Sequence, residues 1–430
     1  MTIKSIAYFS FLYSGFSVVV KLLGFFLFLW IAKEVSFDDY GTFGLLYAIQ
    51  IGISTFAIAG INEIIIGRLK KHKSFNKKRL LFAKSLVLFL IVSFITICIL
   101  FIYLFITKIF IDYIILSIVI LTAILMAFSN LQSQMYRLQE SHKSALEFHA
   151  LGPLLVFIFA IVCFYFYKNI ESYFFGQLIG IFIFYVIMIF KKSIILKIYM
   201  NNNIKFDLIS LFPFVVIAFF GWLSGYGNSL IINELFSVED VAIFTFLITF
   251  ASILQLVASS MNMVWSPRFY SIVHILKIED VEKQNRLFYG IQSVILGIIG
   301  AFILVILPIF FSYMDGFAKY SNYYFELMFL FLGYILLPIW WHCSNYYLVF
   351  ERGKDLRNIV IVTSIIGIAI WLILMLFFGK IGIYVGFFVQ MLLRSVWIYI
   401  ESRKHWNLKI SYEGVIIGIL ITYFGYLSLG

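Results

Sequence analysis

The chain has 430 residues, 63% of them hydrophobic and only 12% charged, with a net charge of +11 and a mean hydropathy of +1.03. A soluble domain carries about 25% charged residues, so water cannot keep this surface dissolved and a soluble protein is excluded. In a soluble chain the basic excess would suggest nucleic acid; here its placement makes it a topology signal, and no nucleic-acid partner is expected.

Apolar runs long enough to cross about 30 Å of hydrocarbon fall at 5–32, 41–66, 80–106, 109–135, 145–167 and 171–190. A second set falls at 208–233, 239–265, 287–312, 321–349, 356–378 and 380–401. The run 413–429 is short, either a thirteenth span or an interfacial helix. Such runs are too long for barrel strands, and backbone groups in lipid must pair within their own segment. The fold class expected is therefore an all-α integral membrane protein of about 12 transmembrane helices. Lys4 precedes a long apolar run without a small-residue cleavage site, which reads as a retained first helix.

With the N-terminus in the cytoplasm, 24 of the 32 Lys and Arg fall on the cytoplasmic side, seven of them in 67–79. Five fall outside, and Lys21, Lys84 and Arg394 lie within spans. That bias predicts an N-in orientation. Attraction of 67–79 to anionic membrane lipids follows.

A motif recurs. Ser36-Phe37-Asp38-Asp39 follows the first span and Ser237-Val238-Glu239-Asp240 follows the seventh, 201 residues apart. Six helices return a chain to the side where it began, so the repeat predicts two parallel six-helix lobes, 1–200 and 201–401. Residues 402–430 would be a cytoplasmic connection and the extra helix.

One residue in the first run demands an account. Ser10, Ser14, Ser17, Lys21 and Gly24 recur at spacings of 4, 3, 4 and 3, which places them on one helical face. Small residues there can serve helix packing; a lysine cannot, and a mid-span charge costs about 2.5–3.5 kcal/mol. Lys21 faces a polar cavity and binds an anion, or it forms a structural ion pair, or the span boundary lies elsewhere. Arg394, about two turns from its end, either snorkels or lines the cavity, and joins Lys21 as a candidate anion ligand. Thr55 and Asn62 on the second helix, Asn228 on the seventh, and Thr249 and Asn262 on the eighth extend polar stripes in both halves. Together with Ser14 and Ser17 they predict one water-filled central cavity. Glu63 is interfacial, a proton site or a partner for a basic residue. His342 reads as a packed imidazole. The three cysteines lie in apolar runs, and no P-loop, metal spacing or nucleophile elbow appears. No catalytic residue, metal or cofactor is expected, and the chain does not read as an enzyme.

Several stretches resemble a known group. "VSFDDYGTFGLLYAI" (35–49), "NSLIINELFSVEDVAIFTFLITF" (228–250), "WSPRFY" (265–270) and "FERGKDLRNIVIVTSIIGIAIWLILMLFFGKIGIYVGFFVQMLLRS" (350–395) are similar to segments of the polysaccharide flippases. These belong to the multidrug/oligosaccharidyl-lipid/polysaccharide exporter superfamily. The resemblance implies two lobes rocking around a cavity in a bacterial cytoplasmic (inner) membrane. It also implies a cargo, a polyprenyl-diphosphate-linked oligosaccharide passed from inner to outer leaflet, with polysaccharide polymerase machinery as a possible partner. Relatives often carry a basic residue at the place of Lys21, in a stretch that here reads Lys21-Leu22-Leu23-Gly24-Phe25. Asn228 stands where many relatives have an acid, which removes an acidic coupling role there. The rivals are a cation-coupled drug exporter of the same fold, whose cationic substrates a cavity lysine disfavours, and a membrane polymerase or ligase of lipid-linked sugars, which the short outer loops disfavour.

Overall fold

The computed structural model describes residues 3–61, 75–107, 112–139, 141–191, 204–223, 225–313, 316–350 and 352–428. Those residues are helical almost throughout. Helix α1 is Ile3–Glu34, α2 Phe37–Ile58, α3 Phe75–Thr107 and α4 Tyr113–Leu138. Then come α5 (His142–Leu146), a π-helical turn (Glu147–Leu151), α6 (Gly152–Tyr167), α7 (Ile170–Phe190), α8 (Ile204–Leu223) and α9 (Asn228–Leu235). They are followed by α10 (Val238–Ile272), α11 (Ile278–Tyr313), α12 (Tyr324–Ile335), α13 (Leu337–Val349), α14 (Gly353–Phe378), α15 (Ile381–Arg403) and α16 (Tyr412–Leu427). Among the described residues ten helical stretches are long and apolar enough to cross a membrane, or eleven if the end of α8 and α9, bent by 51°, count as one span. Helix α16, at 16 residues, falls short of the roughly 20 that a straight span needs.

The repeated motif is a pair of matching helix caps. Ser36 Oγ accepts the N–H of Asp39 at 3.1 Å and donates to its carboxylate at 2.7 Å. Ser237 and Asp240 make the same two bonds at 3.2 and 2.7 Å. Each satisfies an orphan donor at a helix start and sets an acid at its positive end.

The chain clusters into two compact units, Met1–Ala242 and Ile243–Gly430. Within the first unit Trp222 of α8 donates its indole N–H to Ala48 O of α2 at 2.9 Å, and its ring covers Gly52. In this unit α6 and α7 form a hairpin pinned by Gly176 and Gly180, where a Cβ would collide with the α6 backbone. The π turn before Pro153 interrupts the regular helical bonds. Helix α4 meets the freed carbonyls: Ser129 Oγ donates to Phe148 O (3.0 Å) and Ser133 Oγ to Ala145 O (2.8 Å).

The second unit solves the same problem in the same way. Pro338 breaks the helix between α12 and α13, and hydroxyls from neighbouring helices cover the break. Ser293 Oγ of α11 donates to Ile335 O (3.3 Å) and Ser395 Oγ of α15 to Leu336 O (3.1 Å). Hairpin α14–α15 is pinned by Gly382 and Gly386, the latter beneath Trp371, whose N–H donates to Ile383 O at 2.8 Å. Helix α16 lies along α11 through glycine-to-glycine contacts, Gly414 on Gly290 and Gly418 on Gly297.

Candidate functional site

The two cations singled out from the sequence sit in different units and are described separately. Lys21 is exposed on α1, and three residues on Gly24 is buried, with Phe157 of α6 3.2 Å from where its Cβ would be. Among the described residues no carboxylate comes within ion-pair distance of Lys21. The structural ion pair considered from the sequence is therefore not seen there. Ser14 and Ser17 fall within α1, but their side chains lie outside the described residues, as do Asn62 and Glu63 altogether. Thr55 is half-buried on α2.

Asn228 opens α9 immediately after the bend at Gly225–Gly227. It is fully buried, and among the described residues neither its amide oxygen nor its nitrogen has a hydrogen-bond partner. A buried amide without partners is unfavourable by about 1–3 kcal/mol. The same unit contains a polar cluster that the sequence reading missed. Gln50 of α2 donates to Gln177 Oε1 of α7 at 2.6 Å, and Gln177 donates to Tyr173 Oη at 2.7 Å. Tyr47 stands edge-on to Tyr226 at 5.5 Å and stacks with Phe43 at 6.1 Å. The signal was present as two amides inside apolar runs, but nothing in the sequence joins residues 127 apart.

Between α2, α3, α8 and α9 lies a groove of about 650 Å³, walled by Gly52, Phe56, Ile95, Ile99, Phe219 and Leu230 among others. Of the polar residues lining it, Thr96 donates to Val92 O (2.9 Å) and Trp222 to Ala48 O, and Tyr103 adds a phenol. Its chemistry suits hydrocarbon, not a headgroup.

In the second unit the guanidinium of Arg394 lies 3.9 Å above the ring of Trp340, and among the described residues its buried Nε has no hydrogen-bond partner. Stacking on the indole face partly compensates for the lost water, and among the described residues no carboxylate neutralises it. Thr249 gives its hydroxyl to Thr245 O of its own helix at 2.7 Å and offers no free proton. Asn262 enters a buried network instead. Its Oδ1 accepts from Tyr289 (2.8 Å) and Ser266 (3.0 Å), and Asn345 Nδ2 donates to Tyr289 Oη (2.8 Å). His342 is packed as expected, 2% exposed, but its neighbour Glu282 was not foreseen. Glu282 lies before the apolar run of its helix and reads, in sequence, as part of a charged loop.

These helices make the protein a multi-pass integral membrane protein. The chain belongs to the polysaccharide biosynthesis protein family, whose sequence pattern matches residues 10–273. No curated protein sequence matches it. Its fold is similar to the lipid II flippase MurJ in an inward closed conformation, at 14% identity and a TM-score of 0.71, covering 97% of each chain. It is also similar to the MATE multidrug transporter DinF-BH, at 14% identity and a TM-score of 0.64, covering 94% of this chain and 96% of that one. MATE in its straight conformation matches at 15% identity and 0.60, covering 93% and 95%. This is the fold of the exporter superfamily that the sequence segments resemble.

Proposed function

We propose that the protein is a flippase that carries a polyprenyl-diphosphate-linked oligosaccharide from the inner to the outer leaflet of a bacterial cytoplasmic membrane, for surface polysaccharide biosynthesis. Alternating access of two helical lobes would move it, with the N-terminus in the cytoplasm. Family membership and the likeness to a lipid II flippase support the class of cargo. The observation that carries the reading is Lys21, a cation midway along the apolar helix α1, exposed and lacking a carboxylate partner among the described residues. The diphosphate is the part of such a cargo that cannot cross lipid unaided, and an ammonium replaces some of its hydration through charge-assisted hydrogen bonds. Arg394 is a second cation suited to the same charge, and Asn228, with its unpaired amide, suits a sugar hydroxyl. The prenyl tail stays in hydrocarbon. Basic residue placement supports the orientation.

Likeness to the MATE transporters favours a second reading, a small-molecule exporter. Its usual cationic substrates fit poorly beside Lys21 and Arg394.

The experiment is replacement of Lys21 by Ala and by Arg, scoring surface polysaccharide at matched protein level. Loss of one charge-assisted contact corresponds to about 1.5–3 kcal/mol, so Lys21→Ala should reduce export roughly 10- to 150-fold and Lys21→Arg should retain most of it. Full export by the Ala variant removes the anion-site assignment. A drug-sensitivity change with intact surface glycan would favour the exporter.

A further inference from the structure

The second unit contains a carboxylate that the transport reading does not use. Glu282, near the start of α11, is 8% exposed and is approached by three donors from two other elements. Tyr346 of α13 donates its hydroxyl to Oε2 at 2.7 Å. The backbone N–H of Lys409, in the connection between α15 and α16, donates to Oε1 at 2.7 Å. His342, also on α13, brings Nε2 to 3.2 Å from Oε1. That contact is an ion pair in distance but not an aligned hydrogen bond, and Nε2 has no other partner. Three elements thus meet at one carboxylate. Asn285 reinforces the junction from the next turn, accepting from the indole N–H of Trp265 (2.6 Å) and donating to His342 O (3.4 Å).

We propose that Glu282 and His342 form a proton-operated clasp, in which proton uptake by His342 tightens the junction of α11, α13 and the α15–α16 connection. The carboxylate already accepts two well-formed hydrogen bonds. Histidine is the side-chain type whose charge changes most readily between about pH 5 and 8. While neutral, a misaligned Nε2 gives Glu282 only a weak dipolar contact. Once charged, it stands 3.2 Å from a carboxylate in a site with little water, where attraction is strong. The sign follows. A charged imidazole holds the carboxylate more tightly than a neutral one, so the clasp is tight at lower pH and slackens as pH rises.

The other groups facing the pair are consistent with this assignment. From α11 come Arg286, which shares a small cavity with His342, and Tyr289, whose ring stands edge-on to the imidazole at 5.6 Å. From α13 come Cys343 and Tyr346, and from the connection Lys409. Arg286 opposes a charge on His342, and Glu282 supports it. The small cavity, of about 10 Å³, is also bordered by Ser411 of the connection. It is about the size of one water, enough to pass a proton to His342.

Backbone hydrogen exchange of the full chain in lipid nanodiscs tests this without any cargo. Exchange is compared at about pH 6 and pH 8 after correction for intrinsic rates. The Lys409 amide and the 404–411 connection should be about five-fold more protected at the lower pH, the ratio expected between a charge-assisted and a neutral contact. His342→Gln should remove the pH response, and Glu282→Gln should lower protection at both values. Equal protection of the wild-type connection at both pH values overturns the proposal, as does a pH response that survives His342→Gln. The wild-type comparison decides even if a variant fails to fold. Failure here leaves the flippase reading untouched, because neither outcome depends on transport.

Discussion

Lys168 shows how a single residue can be held in place against its own preference. It ends α6 with φ of 49°, the left-handed region, where a side chain is unfavourable by roughly 1–2 kcal/mol relative to glycine. It keeps that place while donating to Glu34 Oε2 at 2.8 Å. The bond holds the Glu34 carboxyl below its ordinary range, with nearby Lys33 adding to the effect. Exposed pairs of this kind contribute about 0.2–1 kcal/mol. Lys168→Ala should therefore destabilise the protein slightly at neutral pH, and Lys168→Gly should not. Because the carboxyl is depressed, the pair contributes above the unfolded acid's titration and is lost as pH falls through the folded one, so the Ala deficit should vanish in strong acid. Thermal unfolding of the two variants across pH measures this. At this scale the sequence exposed lone charges readily. Lys21 and Arg394 stand out because no other charged residue lies within six positions of either in the chain. Pairings were hidden: Gln50 with Gln177 and Glu282 with His342 depend on which helices become neighbours, and one sequence without relatives does not carry that information.

Glycine spacing organises the elements. Gly176 and Gly180 on α7 correspond in place to Gly382 and Gly386 on α15, 206 residues on, and each pair lets one arm of a hairpin approach the other. The same glycine spacing and the same kind of close approach thus recur in both units. The seam between α11 and α16 follows the same rule, with a Cβ on Gly414 falling 2.6 Å from Gly290 Cα and one on Gly418 2.5 Å from Ser293 O. Backbone cannot retreat as a flexible side chain can. Gly418→Val should detach α16, with a loss of about 1–3 kcal/mol from overpacking. Faster proteolysis within 404–411, with the remainder of the chain intact, is the readout. The sequence located α16 as a short apolar run but could not say what it packs against, because its own composition suits lipid and helix equally.

Across the whole molecule, composition was the most informative quantity: an all-helical membrane protein follows from hydropathy and length, and the described helices agree. Span number is less legible, since a bend of 51° divides one apolar run between α8 and α9, whereas the break at Pro338 leaves Tyr324–Val349 a single span. On the proposed orientation the cargo's negative charge moves outward. An inside-negative potential assists that by about 2.3 kcal/mol per charge per 100 mV. In proteoliposomes, collapsing the potential with a potassium ionophore at fixed pH should slow flipping, while removing a proton gradient at fixed voltage should not stop it.

The hydroxyl splints at the two helix breaks have a consequence for biosynthesis. In the first unit Ser129 and Ser133 leave the ribosome before the carbonyls they serve, so that joint is born with its partners already waiting. In the second, Leu336 is made 59 residues ahead of Ser395. Until α15 arrives, the Leu336 carbonyl has the N–H of Ile339 but not its second donor, and Ser293 alone guards the adjoining one. A stall between α13 and α15 would leave that seam half-splinted.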